Sequence, residues 1–257
     1  MCLHALAPLS GIFGENTWAE KIKTFGDGLL KASLKKYWDR KVSAFVCNLP
    51  WIAEENEVLY CDRSLATSVL FGMAPDQHKA VQLLATAPRE MGLSYPCNAV
   101  WRYWALIKAD RMDVVLDDLR VRWASMPSVI ENNTLQEDWT ARHDSSQQWS
   151  HCALAPLIMV YDGIVGIKPV TPGFSHCVLS PQPGNLKKFS ANVNTVSGVL
   201  KFSTEGIMGK RTLVIDVPGG MRCEIILNPL EKVALSKTGS NKWLLQEGRN
   251  KLLLKHL

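Results

Sequence analysis

The chain has 257 residues, of which 47% are hydrophobic and 21% are charged, and its formal net charge is +5. This composition permits a sizeable buried core and excludes collagen-like, coiled-coil and extensively disordered chains. No apolar run reaches the ~18 residues of a membrane helix. The cysteines are scattered without a C-x-x-C pair, so we expect neither a zinc site nor a disulfide framework, but reduced and mostly buried thiols.

The N-terminal residues are fairly apolar, but they carry no basic region and no small-residue cleavage site. They therefore do not predict a signal peptide. As written, the chain is expected in the cytoplasm, and secretion is expected only if an N-terminal part is missing.

Residues 1–166 have helical periodicity. A Thr17-x-x-Glu20 capping box precedes a stripe of apolar residues at helical spacing, formed by Trp18, Ile22, Phe25, Leu29 and Ala32. Further amphipathic helices are predicted over 62–73, 76–87, 98–108, 110–125 and 149–165, with Asp76, Asn98 and Asp110 as N-caps. Short breaks join them into hairpins. This pattern indicates an α/α toroid or a solenoid, and the lack of a sequence repeat favours the toroid.

Residues 167–257 change to the two-residue period of strands. Strands are predicted near 175–180, 196–204, 211–217, 221–227, 231–236 and 251–256, which indicates a small antiparallel β-sandwich. The Pro- and Gly-containing stretch 166–173 is interpreted as a linker, so the predicted domains are 1–166 and 167–257. The net charge changes from −3 to +8 at this boundary, but the lysines are spread one per strand, which indicates a solvated face.

A segment between the last two predicted helices carries the candidate site. Residues 128–148 lack apolar periodicity, and loops of that length in compact domains are usually functional or disordered. This loop and the residues after it combine carboxylates, amides, tryptophans and histidines, which can hydrogen-bond to hydroxyls and stack on sugar rings. A carbohydrate site is therefore predicted, with the candidate residues Glu137, Asp138, Trp139, Trp149 and His151.

From the residues alone, most of these candidates have two interpretations. Glu137 is a general base that activates water or a solvated loop acid, and Asp138 is a hydrogen-bond acceptor beside it. Trp139 and Trp149 are stacking platforms or core residues near a helix start. His151 donates to substrate or orients the base, or it is a capping or buried neutral imidazole.

A second polar cluster lies ahead of the predicted helix 62–73. It contains Glu54, Glu55 and Asp62 close to Trp51. Acids before a helix complement its dipole and cap it, and Asp62 is placed to do so. Capping is therefore the favoured interpretation of this cluster.

Four segments taken together resemble one known family. They are 132–139 (NNTLQEDW), 148–151 (QWSH), 163–174 (GIVGIKPVTPGF) and 181–184 (PQPG). In this order they resemble the C-terminal part of the α-L-rhamnosidases of glycoside hydrolase family 78, which are six-hairpin glycosidases. The resemblance implies a partial (α/α)6 toroid of helical hairpins followed by an antiparallel β-sandwich. It also implies hydrolysis of terminal α-L-rhamnose with inversion at the anomeric carbon.

The resemblance also implies roles for single residues. Glu137 followed by Trp139 is similar to the family's Glu-x-Trp element, whose glutamate is the catalytic base, and His151 is similar to the histidine that lines the sugar pocket. The family's general acid lies in an upstream acidic motif, which residues 1–60 do not match. About half of the toroid's helices are also missing. The chain is therefore expected to be a fragment of a longer enzyme that supplies the acid.

Two departures from the family keep other functions open. The stretch 92–96 (GLSYP) stands where the family has a Gly-rich loop. If the chain is complete, Glu54, Glu55 or Asp62 is the only nearby substitute acid. The alternatives are a non-catalytic carbohydrate-binding remnant, a six-hairpin glycosidase for another sugar, or a helical scaffold for protein partners. A carbohydrate is the expected partner, and no nucleic acid, membrane, cofactor or metal is expected, while the oligomeric state is not predicted.

Overall fold

The computed structural model describes residues 2–49, 57–140, 146, 152–234 and 240–257. The chain separates into two compact units, Met1–Ala109 and Asp110–Leu257. The elements of the first unit are α1 (Cys2–Ile12), α2 (Asn16–Tyr37), β1 (Trp38–Asp39), β2 (Ala44–Phe45), β3 (Tyr60–Cys61), α3 (Asp62–Leu70), α4 (Gln77–Thr86), β4 (Met91–Gly92) and α5 (Val100–Lys108).

The second unit begins with helices and continues as strands. Its elements are α6 (Met112–Asp118), a π-helical turn (Leu119–Trp123), α7 (Pro127–Asn132), α8 (Ala155–Ile158), a second π-helical stretch (Met159–Val165), β5 (Ile167–Pro169), a 3-10 turn (Pro172–Phe174), β6 (His176–Leu179), β7 (Lys188–Thr195), β8 (Gly198–Ile207), β9 (Lys210–Val217), β10 (Arg222–Ile226), β11 (Glu231–Val233), β12 (Lys242–Leu245) and β13 (Gly248–His256).

Helices α1 and α2 pack on each other as a hairpin, joined by a short turn at Gly14. The predicted helix is confirmed, but its predicted capping box is wrong. Helix α2 begins at Asn16 after Glu15, so Thr17 lies inside the first turn, and no side chain caps the helix. Most of the large side chains of the predicted apolar stripe, including Phe25 at 64% exposure, are open to solvent.

Helices α3, α4 and α5 form the core of the first unit around Leu65, Leu84 and Leu106, which are fully buried. The predicted cap of α4 is confirmed, because Asp76 Oδ1 accepts a 3.0 Å hydrogen bond from the Lys79 backbone N–H. The predicted cap of α5 is wrong, since this helix begins after Ala99.

The helices of the second unit are shorter than predicted. The helix expected over 110–125 starts after Arg111, with Asp110 in the left-handed region at φ 57°, and it relaxes into a π-helical turn after Asp118. The last helix begins at Ala155, with Pro156 in its first turn as expected, rather than near residue 149. The described helices do not show the (α/α)6 barrel that the resemblance implies, and the barrel stays a prediction.

The strands of the second unit form two sheets that share one core. Among the described residues, the first sheet has the order β11-β13-β9-β8-β7 and is antiparallel throughout. The second has the order β12-β10-β6-β5. Cys177, Leu179 and Ile225 from the second sheet and Phe202 and Ile215 from the first lie in the same buried cluster. The predicted β-sandwich is confirmed.

Two details of the sandwich differ from the prediction. Strands β6 and β10 pair in parallel, so the second sheet is mixed rather than antiparallel. Strands β5, β7 and β12 were missed, and each is the last strand at one edge of its sheet. Edge strands tolerate proline, and the three-residue strand Ile167–Pro169 is too short to show a period. In Lys188–Thr195 the alternation of Phe189, Ala191 and Val193 with polar residues is present in the sequence and was overlooked.

Gly166 marks the change from helix to strand. It has φ 67°, and a Cβ at this position would overlap the carbonyl oxygen of Ser180. Only glycine satisfies both conditions. The domain boundary at 166/167 stays a prediction, because the helices from Met112 onward and the sandwich belong to one compact unit.

The remaining expectations concern the cysteines and membrane-spanning helices. The thiols are free as expected, but only Cys177 and Cys223 are buried. In the part of the chain that the structure describes, none of the helices combines the length and apolar character needed to cross a bilayer.

Candidate functional site

The candidate site segment follows helix α7. The helix ends at Asn133, which adopts the left-handed conformation with φ 54°. The Thr134 backbone N–H donates to the Ser128 carbonyl oxygen at 3.1 Å, which closes the helix C-terminus. The chain therefore leaves the helix in a fixed direction just before Glu137.

Gln136 anchors this segment from inside. Its side chain is completely buried, with 0% exposure. Its Oε1 accepts from the Ser128 backbone N–H at 3.2 Å, and its Nε2 donates to the Asp138 carbonyl oxygen at 2.6 Å. One buried amide thus ties the start of α7 to the residue after Glu137. Sequence reasoning missed this residue, because a glutamine in a polar loop resembles any solvated side chain.

Trp139 anchors the segment from the other side. Its ring meets the ring of the buried Trp123 edge to face, with centroids 5.2 Å apart and an interplanar angle of 80°. The Arg122 guanidinium lies 3.8 Å from the Trp139 ring centroid, and Arg122 Nη1 lies 3.5 Å from Asp118 Oδ2. Such a cation–π contact stabilises the ring orientation. Of the two sequence interpretations, packing describes what these contacts do, and sugar stacking stays a prediction.

One carboxylate oxygen of Asp138 accepts hydrogen bonds within its own turn. Its Oδ1 accepts from the Thr140 backbone N–H at 3.0 Å and lies 3.2 Å from Thr140 Oγ1. This arrangement is typical of an aspartate that stabilises a turn. Its role as a substrate acceptor stays a prediction.

Glu137 lies between these anchors in the chain. Its residue is exposed, between the buried Gln136 and the half-buried Asp138. A carboxylate oxygen of Glu137 and Cys152 Sγ lie within 4.8 Å of each other. The segment before α8 therefore reaches the Glu137 side chain. An accessible carboxylate on an anchored backbone is suited to deprotonate a bound water.

Two other site candidates lie outside the described residues. These are Trp149 and His151, so their predicted roles as a sugar platform and a pocket-lining donor stay predictions. Glu54 and Glu55 of the second polar cluster also lie outside this part of the chain.

Asp62 is described, and it has a different role from the one predicted. It is the first residue of α3 and makes no capping bond to that helix. Its buried Oδ1 instead accepts from the Ser94 backbone N–H at 3.0 Å and from Ser94 Oγ at 2.6 Å. The predicted capping bond is therefore wrong, because the carboxylate ties α3 to the loop after β4, but Asp62 does lie in the first turn, where its charge complements the helix dipole.

Comparison with a family model identifies the C-terminal part of the chain. Residues 166–242 match the bacterial alpha-L-rhamnosidase C-terminal domain. No curated protein matches the chain. The predicted resemblance is thus confirmed for this domain.

The solved structures with a similar fold include three α-L-rhamnosidases. That of Dictyoglumus thermophilum has a TM-score of 0.73 at 15% identity, covering 98% of this chain and 31% of its own. The family 78 rhamnosidase of Bacillus sp. GL1 has 0.66 at 22%, covering 88% and 25%. The Streptomyces avermitilis enzyme complexed with L-rhamnose has 0.68 at 15%, covering 97% and 26%. The chain has the fold of these proteins and spans a quarter to a third of their length.

Proposed function

We propose that this chain is the C-terminal part of a glycoside hydrolase of the α-L-rhamnosidase type and that Glu137 is its general base. One observation carries the proposal. The backbone on both sides of Glu137 is anchored, by the buried Gln136 amide and by the Trp139 contacts, while the carboxylate itself is accessible. The fold and the C-terminal domain match support the α-L-rhamnosidase type and not the role of Glu137.

The proposed reaction inverts the anomeric carbon. Glu137 removes a proton from the attacking water while a general acid protonates the leaving oxygen, and the two carboxyl groups stand roughly 6.5–9.5 Å apart to admit the water. Asp62 is a poor acid for this purpose, because Ser94 already occupies its carboxylate. The proposal places the acid in a preceding part of a longer protein. Glu54 and Glu55 are the substitutes if the chain is complete.

The remaining candidates shape the sugar site in this proposal. Trp139 and Trp149 offer ring faces to the sugar, Asp138 accepts from a hydroxyl through its second oxygen, and His151 donates to the bound ring. The substrate class is a glycoside with terminal α-L-rhamnose. The Streptomyces avermitilis neighbour was solved with L-rhamnose, which makes that sugar the first ligand to test.

The first experiment is the intact mass of the native protein, followed by kinetics on an aryl α-L-rhamnoside. The variant Glu137→Gln is expected to lose about 100-fold or more in kcat, which is the usual contribution of general base catalysis. The matched control Glu131→Gln, at an exposed position of α7, should stay within about twofold of wild type. A loss below about tenfold for Glu137→Gln would contradict the base assignment. Proton NMR of the first product should show the β-anomer.

A second candidate function is carbohydrate binding without catalysis. The observation that favours it is that Asp62 already accepts two hydrogen bonds from Ser94 and is therefore a poor general acid. It predicts that native protein with a mass near 28.7 kDa binds L-rhamnose in calorimetry but does not hydrolyse the aryl rhamnoside. A mass far above this value, together with turnover, would exclude it.

A further inference from the structure

A pair of cysteines in the first unit lies outside the proposed sugar site. Val46 and Tyr60 form an antiparallel bridge, and the Cys47 backbone N–H donates to the Leu59 carbonyl oxygen at 2.8 Å. This register puts Cys47 opposite Leu59 and Cys61 two residues further along. Side chains two residues apart lie on the same face of a strand pair. Cys47 and Cys61 therefore point to the same side.

Their side chains share a neighbour on that side. Cys47 Sγ lies 3.7 Å from Ser64 Oγ, and the Ser64 hydroxyl donates to the Cys61 carbonyl oxygen at 3.0 Å. Both cysteines are free. A disulfide needs Cα atoms about 4.4–6.8 Å apart, and diagonal positions on paired strands are about 7–8 Å apart, so a bond between these cysteines requires a small shift of the backbone.

The surroundings of Cys61 favour its thiolate. Cys61 immediately precedes the nine-residue helix α3, and its Sγ lies 3.8 Å from Asp62 Oδ1. The neighbouring Cys47 thiol, and after it the backbone N–H groups of Arg63 and Ser64, lower the pKa of Cys61 to about 6 against the effects of burial and of the Asp62 charge. Helix N-termini stabilise thiolates in the same way in reactive cysteines.

Both sulfur atoms can be reached by a small molecule. Cys47 and Cys61 line a cavity of about 830 Å³ in the first unit, together with Arg63, Ser64 and apolar side chains of α2. Cys47 is exposed and Cys61 is partly exposed. The pair Cys177 and Cys223 differs in burial as well as in register, because its members are direct partners on the parallel strands β6 and β10 and are fully enclosed.

We propose that Cys47 and Cys61 are a redox modification site that hydrogen peroxide converts to an intramolecular disulfide. The Cys61 thiolate attacks one peroxide oxygen, the O–O bond breaks, and the departing hydroxide takes a proton to become water. The Cys47 sulfur then attacks the Cys61 sulfenic sulfur, the S–O bond breaks, and hydroxide leaves with the Cys47 proton as a second water. Two thiols are oxidised and one peroxide is reduced.

The expected rate advantage is modest. Lowering a thiol pKa from about 8.5 to about 6 raises the thiolate fraction at pH 7 roughly thirtyfold, and the loss of nucleophilicity removes about tenfold of this. Cys61 should therefore react roughly threefold faster than the exposed Cys2. The distinguishing result is the product, because Cys2 should stop at the sulfenic stage while Cys61 proceeds to the disulfide.

The test treats the reduced full chain with hydrogen peroxide and maps its peptides. Trypsin leaves both cysteines in residues 42–63, and cleavage after Glu54, Glu55 or Glu57 separates them. We expect the tryptic peptide to lose two hydrogens, the two fragments to stay linked until dithiothreitol is added, and Cys177 and Cys223 to remain thiols. The proposal is overturned if both cysteines stay alkylatable while Cys2 is oxidised, or if the buried pair forms a disulfide equally fast.

Variants separate the two roles. In Cys47→Ser, the Cys61 sulfenic acid should accumulate and be trapped by dimedone, and in Cys61→Ser, Cys47 should resist the same peroxide dose. The control Cys152→Ser should form the disulfide as wild type does. Equal oxidation of Cys47 with and without Cys61 would contradict the order of attack. The wild-type peptide map remains decisive if a variant does not fold.

Discussion

The β-sandwich buries its large apolar side chains, whereas the α1–α2 hairpin leaves most of those on α2 exposed. Phe202 in the sandwich is 1% exposed between two sheets, whereas Phe25 on α2 is 64% exposed. The two residues are chemically identical and sit in elements that the sequence pattern predicts equally well. The difference teaches that periodicity identifies an apolar face but not the surface that covers it. In the sandwich, each sheet covers the apolar face of the other, and both sheets come from residues 167–257. In the hairpin, α1 leaves much of the apolar face of α2 exposed.

The largest expected effect is in the sandwich. Phe202→Ala removes a fully buried ring from β8 and should lower the free energy of unfolding by about 3–5 kcal/mol, since lost burial and the new cavity add up. Urea denaturation followed by far-UV circular dichroism measures the change. A loss below about 1 kcal/mol would show that the two sheets do not form one close-packed core.

A smaller loss of stability is expected when a buried polar side chain, that of Gln136, is removed. Gln136→Ala removes one amide and leaves the Ser128 N–H and the Asp138 carbonyl oxygen without their partner, which should cost about 2–3 kcal/mol. The matched control Gln246→Ala is on an exposed turn and should stay within about 0.5 kcal/mol. In the native protein, Gln136→Ala should also weaken rhamnoside turnover, because the backbone next to Glu137 loses its anchor. Unchanged stability and turnover would remove Gln136 from the site.

Three parts of the chain show how far its structure can be predicted from the sequence. Helix α4 was predicted with its cap because the Asp76 bond to Lys79 is local in the chain. Strand β7 was missed although Phe189, Ala191 and Val193 alternate with polar residues, because the pattern is short and one of its three apolar members is an alanine. Glu137 was singled out through the family resemblance, and the residues that hold it were not. Arg122 and Trp123 reach Trp139 from another helical segment, and a long-range contact of this kind leaves no spacing in the sequence.

A pH-dependent contribution to stability is expected from Glu224 on β10. The Lys242 ammonium and the Arg222 guanidinium bond to its carboxylate and lower its pKa to about 2. Because the folded pKa lies below the ordinary value of 4.5, the stabilisation is present above about pH 4.5 and is lost as the pH falls toward 2. His176 Nε2 lies 3.4 Å from the same carboxylate. In Glu224→Gln, the acid side of the stability profile should be flatter, and an unchanged profile would contradict this assignment.

The smallest effect is expected from the counterpart of Phe202. Phe25→Ala removes the same ring from the exposed face of α2, and in this 257-residue chain it should change the free energy of unfolding by less than about 0.5 kcal/mol. A loss of several kcal/mol in this chain would mean that the face is covered in solution, by a second copy or by another segment.

The same substitution in the native protein sharpens the comparison. If the native mass exceeds 28.7 kDa and Phe25→Ala there costs about as much as Phe202→Ala, the stripe is packed against the additional segment. The hairpin would then be an inner surface of a larger helical domain, which is what a preceding segment carrying the general acid requires. If the cost stays near zero in the native protein, the stripe is a surface in both forms. The preceding segment would then have to carry the acid without packing on α2.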